Sequence, residues 1–269
     1  MNEAPLRRFI FGSLTLFCVV FLTVPTVIVV ISSFNAGNIL QFPPDGLSLR
    51  WYRSLASQTD IQSAVIRSLY VATICTVLSI PVGTLAALAM NRYRIRFLAF
   101  VRLYLLLPFT IPVVVSGISL LILYGEMNLV DNLWGVGVAL CAINLPFMIW
   151  AVAASVNALD FDLENAAANL GAPPLQSFLF VTVPAVTPGI VTGALLMFIL
   201  AMNEFVVSLL LVSKRTMTLP VQLFLSIRSN VTPDVAAVAV IYIVISALAI
   251  VTLDRLVGLD LFLKSRITV

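Results

Sequence analysis

Five stretches of this chain run without a single Asp, Glu, Lys or Arg, each close to or beyond the length of a membrane span: Phe9–Ser33, Ser68–Met90, Leu103–Gly125, Asn132–Leu159 and Val235–Leu253. The hydrocarbon core of a bilayer is ~30 Å thick and a helix rises 1.5 Å per residue, so ~20 apolar residues cross it. A sixth span is expected at about 184–212. It lies inside the uncharged-but-for-Glu204 region Asn165–Val212, which Gly171, Pro173, Pro174 and Pro184 interrupt. Composition closes the argument, because 61% of the residues are hydrophobic and only 10% are charged. A soluble domain carries about a quarter charged residues to cover its surface. Lipid must therefore be the solvent, and the expected fold is an all-α integral membrane protein with six transmembrane helices in one domain, 1–269.

The first run could be taken for a cleaved signal sequence, but it is 25 residues long and Pro25 interrupts it without ending it. Large residues continue past that proline and no small-residue cleavage site follows, so it reads as a retained helix. Six spans put both termini on one side, and Lys and Arg decide which. Arg7, Arg8, Arg92, Arg94, Arg96, Arg102, Arg255, Lys264 and Arg266 hug helix ends on one face. Arg50, Arg53, Arg67, Lys214, Arg215 and Arg228 are spread over longer loops on the other, beside Asp45, Asp60 and Asp234. The expected orientation is N-in, C-in. The first outside loop, about 34–67, then holds the turn sequence Pro43-Pro44-Asp45-Gly46 and the interfacial aromatics Trp51 and Tyr52.

Several chemistries are excluded. There is no histidine, so no His base or His metal ligand exists, and Cys18, Cys75 and Cys141 sit in separate apolar runs as small hydrophobes. Catalytic and metal sites are accordingly expected to be absent. A net charge of +3 without a basic cluster offers nothing to nucleic acid. No Gly-rich loop ending in Gly-Lys-Ser/Thr occurs, so nucleotide would have to be bound by another polypeptide.

The fourth connection, about 157–184, breaks the charge pattern. It should face the cytoplasm, yet it has no Lys or Arg and carries Asp160, Asp162 and Glu164. Asp160 or Asp162 can cap a helix whose first turn holds Glu164. Ala166-Ala167-Ala168 is strongly helical and nearly without side chain. Gly171 suits a residue with positive φ just past the helix end, and Pro173 and Pro174 forbid continuation. A second short segment, 175–183, leads to Pro184 at the start of the next span. The expected unit is a short helix–turn–helix whose small-residue surface lets another protein approach its backbone.

This segment resembles the Glu-Ala-Ala loop of ABC importer permeases. The family pattern of Glu-Ala-Ala, three residues, Gly, nine residues and Ile-x-Leu-Pro falls on Asn165, Ala166, Ala167, then Gly171, then Val181, Val183 and Pro184, with both spacings kept. Asn165 replaces the glutamate, and the two valines are conservative. Glu164 cannot simply stand in for it, since it lies ~100° around the helix. Ser33-Phe34-Asn35, Phe42-Pro43-Pro44, Ser48-Leu49-Arg50-Trp51-Tyr52, Asn203-Glu204-Phe205-Val206-Val207-Ser208 and Thr218-Leu219-Pro220-Val221 resemble the second permease of the polyamine (spermidine/putrescine) branch. Related permeases for opines, aminoethylphosphonate and ferric iron share much of this pattern.

The resemblance implies a type I importer permease in the bacterial cytoplasmic (inner) membrane. It implies as partners a homologous second permease, two ATP-binding subunits holding ATP and Mg, a periplasmic or lipid-anchored substrate-binding protein, and membrane lipid. It implies a coupling role for Asp162, Glu164, Asn165, Ala166, Ala167, Gly171 and Pro184. The chain itself would be non-catalytic and without cofactor.

Glu204 is the one acid expected inside a span, where a carboxylate costs at least ~2.5 kcal/mol. With Asn203 it could line the substrate pathway, bond to the partner subunit or reach the outer interface; all three readings stand. Arg92, Arg94 and Arg96 read as topology anchors, with an ATPase contact as the alternative. Pro25, Pro81, Pro108, Pro112 and Pro146 read as kinks or helix boundaries. Pro108 and Pro112 bracket a break in the third span. Gly83, Gly117, Gly135, Gly137, Gly189 and Gly193 read as close-packing points between helices, and the Gly189/Gly193 pair as one that could serve a subunit interface. An ion-coupled secondary transporter would need several intramembrane acids or an inverted repeat. This chain has one such acid and no repeat.

Overall fold

The computed structural model describes residues 3–160, 162–229 and 232–257. Lys264 and Arg266, counted above for topology, lie outside them. In chain order the helices are α1 (Glu3–Ser32), α2 (Arg50–Ala56), α3 (Thr59–Arg92), α4 (Leu98–Tyr104), α5 (Leu107–Thr110) and α6 (Val113–Glu126). There follow α7 (Leu133–Asn157), α8 (Asp162–Asn169), α9 (Pro174–Ser177), α10 (Val183–Asn203), α11 (Val206–Leu211), α12 (Leu219–Ser229) and α13 (Pro233–Val257). A π-helical turn, Phe178–Thr182, joins α9 to α10.

Among the described residues, five helical paths are long and apolar enough to cross a bilayer: Ile10–Ser32, Thr59–Arg92, Leu133–Asn157, Pro174–Asn203 and Pro233–Thr252. A sixth is broken, with Leu98–Thr110 and Val113–Glu126 meeting at 96°. The span expected at Leu103–Gly125 is thus in two pieces, broken within the stretch that Pro108 and Pro112 bracket in the sequence. Pro112 lacks an N–H and pushes the residue before it out of the helical region; Ile111 sits at φ −87°, ψ 128°.

The span expected at 184–212 also shifts. The helical path starts at Pro174 and ends at Asn203. Pro173 adopts an extended conformation (φ −66°, ψ 156°) and Pro174 takes the first helical position, where a missing N–H costs nothing. Pro184 starts no span but lies within the continuous path. The π turn just before it widens the helix where the proline ring would meet the carbonyl of residue 180. The separate second short helix expected at 175–183 is thus the first part of the span. The first loop is likewise shorter than 34–67, because α2 and the start of α3 occupy much of it.

The chain forms two compact units. One comprises the chain up to Gln62 with Gln222–Ile245, the other Ser63–Val221 with the described residues from Ser246 on. In the first, the loop after α1 is tied by its own polar groups. Ser33 Oγ and Tyr52 Oη share a hydrogen bond of 2.6 Å, Trp51 Nε1 donates to Asn35 O at 2.9 Å, and Asn35 Nδ2 donates to Ile39 O at 2.8 Å.

In the second unit α7 packs along α10. Met148, Val152 and Val156 from α7 and Val186 and Met197 from α10 are fully buried. Lipid tails are as apolar as these side chains, so close packing rather than the hydrophobic effect must hold the pair. Gly189 permits it: a Cβ there would lie 2.7 Å from Ala151 O and 2.9 Å from Val152 Cα. Gly193 faces Met148 and Ala151 of the same helix. The Gly189/Gly193 pair therefore serves packing within the chain, not the subunit interface considered above. Cys75 and Cys141 are buried small hydrophobes, whereas Cys18 lies exposed on α1.

Candidate functional site

The fourth connection is built as a short capped helix. Asp160 Oδ1 accepts the Asp162 N–H at 3.0 Å, and Asn165 Nδ2 donates to Asp162 Oδ1 at 3.3 Å. Asn165 thus turns back onto the first residue of α8. Asp162 and Glu164 occupy the first turn, where carboxylates complement the positive end of the helix.

The helix stops as its sequence dictates. Gly171 has φ +86°. Its N–H reaches Ala168 O at 2.9 Å while the Ala172 N–H reaches Ala167 O at 3.0 Å, the paired bonds of a Schellman ending. A Cβ at Gly171 would meet nothing within 4 Å, so the requirement is one of backbone sign, not of room. Around this turn apolar side chains stand in the open: Leu170 is 89% exposed, Phe180 73% and Leu175 68%. Ala166 is exposed beside them and Ala167 half-buried.

The structure brings Glu164 to two residues that the sequence pattern did not associate with it. Arg92, the last residue of α3, pairs with Glu164 Oε1. Arg92 also donates to Thr182 Oγ1 at 3.1 Å, and that hydroxyl donates to the same Glu164 oxygen. The Arg92 and Glu164 side chains are only 27% and 20% exposed, and Thr182 is fully buried. Arg92 is therefore bound into the chain rather than left to anchor on lipid headgroups. The signal was available: an acidic connection without bases neighbours one with four arginines.

Asn203 and Glu204 occupy a helix break, not a span interior. Glu204 is extended (φ −73°, ψ 125°) and ends α10. Its Oε1 accepts the Val207 N–H and its Oε2 the Ser208 N–H, both at 2.9 Å, so the carboxylate caps α11. Half-buried, it answers the cost of an acid in this region with two backbone donors. Asn203 is exposed and its Nδ2 donates to Ile199 O at 2.8 Å.

A further polar centre escaped the sequence reading. Asp131, just before α7, has φ +63°. Its N–H donates to Leu211 O at 2.9 Å. Its carboxylate accepts the Ser213 N–H at 2.9 Å, the Ser213 hydroxyl at 2.6 Å and the Thr216 hydroxyl. These hydroxyls, Ser213 first, hold the Asp131 carboxyl below its ordinary pKa. Asp131 thereby fixes the chain that leaves α11.

Comparison with known proteins follows this geometry. Residues 79–259 match the family described as binding-protein-dependent transport system inner membrane component. The chain is 30% identical to the spermidine/putrescine transport system permease protein PotC of Haemophilus influenzae, over 94% of this chain and 98% of the relative. It is 30% identical to the putrescine transport system permease protein PotI of Escherichia coli (strain K12), over 81% of this chain and 80% of the relative. Its fold is similar to a chain of a bacterial ABC transporter involved in the import of the acidic polysaccharide alginate, with a TM-score of 0.69 and 16% identity over 96% of this chain and 97% of that one.

Proposed function

The chain belongs to the family of binding-protein-dependent transport system inner membrane components, and on that premise we propose that it is one of two permease subunits in an ATP-driven importer of polyamines. The observation that carries the reading is the fourth connection. A short helix is stopped by a glycine of positive φ, and the turn that follows it presents Leu170 to the surroundings. An exposed leucine at a sharp backbone turn is what a partner's groove can grip.

In this reading the partner is the ATPase, and Asp162, Glu164, Asn165, Ala166, Ala167, Gly171 and Pro184 form the segment that meets it. Closure of the ATPase pair on ATP moves this segment, and the membrane helices answer by exposing the cavity to one side or the other. The second permease completes the pathway. A periplasmic or lipid-anchored binding protein delivers the solute at the opposite face. Both termini then lie in the cytoplasm of a bacterial cell.

The substrate reading rests on the permeases named for spermidine and putrescine that this chain resembles over most of its length. Glu204 adds a negative charge at the break between α10 and α11, with Asn203 beside it. A carboxylate there attracts an ammonium ~4 Å away by ~4 kcal/mol at an effective dielectric of 20, before desolvation is subtracted.

Proteoliposomes holding the complete transporter test the function. Uptake of radiolabelled putrescine should require ATP inside and the binding protein outside. Uptake driven by an ion gradient in the absence of ATP would overturn the assignment.

A further inference from the structure

Three elements of the second unit meet at one carboxylate. Arg92 ends α3, Glu164 lies in the first turn of α8, and Thr182 closes the π turn that opens α10. Arg92 donates to both Glu164 and Thr182, and Thr182 donates to Glu164. A threonine hydroxyl has one proton and two lone pairs, so giving to the acid while receiving from the arginine suits its chemistry. The triangle is closed: each residue touches the other two.

Its surroundings make it stiff. With Thr182 fully buried and the two charged side chains about three-quarters covered, opening the triangle strands a charge in poor solvent. The π turn sets the geometry. Inserting one residue into a helix rotates what precedes it by ~100°, so this turn determines how Thr182 and the chain before it are aimed relative to α10. Such turns are rare, and those that occur are frequently at functional sites.

We propose that the Arg92–Glu164–Thr182 triangle is the strut that delivers any displacement of α8 to α3 and α10 as one step. Arg92 and Thr182 are then positioning residues for transport, remote from the substrate. The proposal rests on the reading of 157–184 as the ATPase-docking segment. A mere staple would steady the loop and, when cut, weaken docking; a strut, when cut, leaves docking in place and wastes the stroke.

The test uses the whole transporter with its ATPase, second permease and binding protein. Spin labels at Tyr93 and Asn169, both exposed, report the distance across the strut without nucleotide and with ATP and vanadate. In the unaltered protein that distance should be the same in both states. In Arg92→Met and Thr182→Val it should differ between them. Putrescine uptake per ATP hydrolysed should fall about tenfold in both variants, the scale expected when a bond to a charged group is lost, with the ATPase still retained on purification.

Arg92→Glu should show the same loss, whereas Arg92→Lys, which keeps the charge and a donor toward Glu164, should keep most of the coupling. A distance in the unaltered protein that changes with nucleotide would overturn the strut. So would normal uptake per ATP in Arg92→Met with the ATPase retained, or an Arg92→Lys variant no better than Arg92→Met. The docking reading fails separately, if Gly171→Val leaves ATPase retention and uptake unchanged.

Discussion

The second unit is held at the two ends of α7 by two carboxylates of different kinds. Ahead of its first residue Asp131 accepts only neutral donors, from Ser213 and Thr216. Beyond its last residue Glu164 meets the charge of Arg92. The helix between them has 25 residues, a rod of about 37 Å. The Asp131 end is complete in itself, since its polar groups answer one another across a short loop. The Glu164 end pairs one acid with Arg92 but leaves Leu170 uncovered. One end is closed by its own hydrogen bonds; the other, in the reading proposed above, is completed by the ATPase.

The sharpest way to break the comparison is at the unfinished end. Gly171→Val forces a β-branched residue to φ near +86°, at a cost of ~1–2 kcal/mol. Retention of the ATPase or putrescine uptake should fall about tenfold, while the subunit still inserts and its α7–α10 packing, measured by thermal unfolding in detergent, stays within error. Normal retention and uptake in this variant would remove the turn from docking.

The finished end should yield less. Asp131→Asn keeps one acceptor oxygen and loses the charge that strengthens three bonds, a change of ~1 kcal/mol at this partly exposed site. Hydrogen exchange at 212–216 should quicken about fivefold, with transport nearly unchanged. Because the folded-state pKa of Asp131 lies below the ordinary 3.8, its clamp is complete above that value and is lost only as pH falls through the lower one. Exchange at 212–216 that quickens already between about pH 8 and 5 would show that another group holds the loop.

The smallest effect is expected at Glu204. Glu204→Gln keeps one capping acceptor and removes the charge, weakening the start of α11 by ~0.5–1 kcal/mol. If the carboxylate also lines the pathway, putrescine uptake drops in a fully assembled complex. Unchanged uptake leaves Glu204 the role of a cap alone.

What could be read without coordinates follows how each feature is coded. The break at Ile111–Pro112 was legible because proline acts on its own neighbours, and the turn at Gly171 because glycine followed by two prolines has few other uses. The break at Glu204 was not. No proline or glycine marks it, and an acid that caps the next helix looks in sequence like an acid inside a span. The π turn hid Pro184 within a helix that the proline was expected to begin. The Arg92–Glu164–Thr182 contact joins positions 72 and 18 residues apart, beyond the reach of any local pattern. Even so, the anomaly of an acidic loop without bases pointed toward it.

The central claim is that residues 157–184 face the cytoplasm and lie under the ATPase. A cysteine at Leu170, the most exposed apolar residue of the turn at 89%, measures this directly in a background lacking Cys18, Cys75 and Cys141. A membrane-impermeant maleimide should leave Leu170→Cys untouched in intact cells and label it in inverted vesicles stripped of the ATPase. Adding the ATPase back should protect it. Labelling in intact cells, or equal labelling with and without the ATPase, would contradict the account.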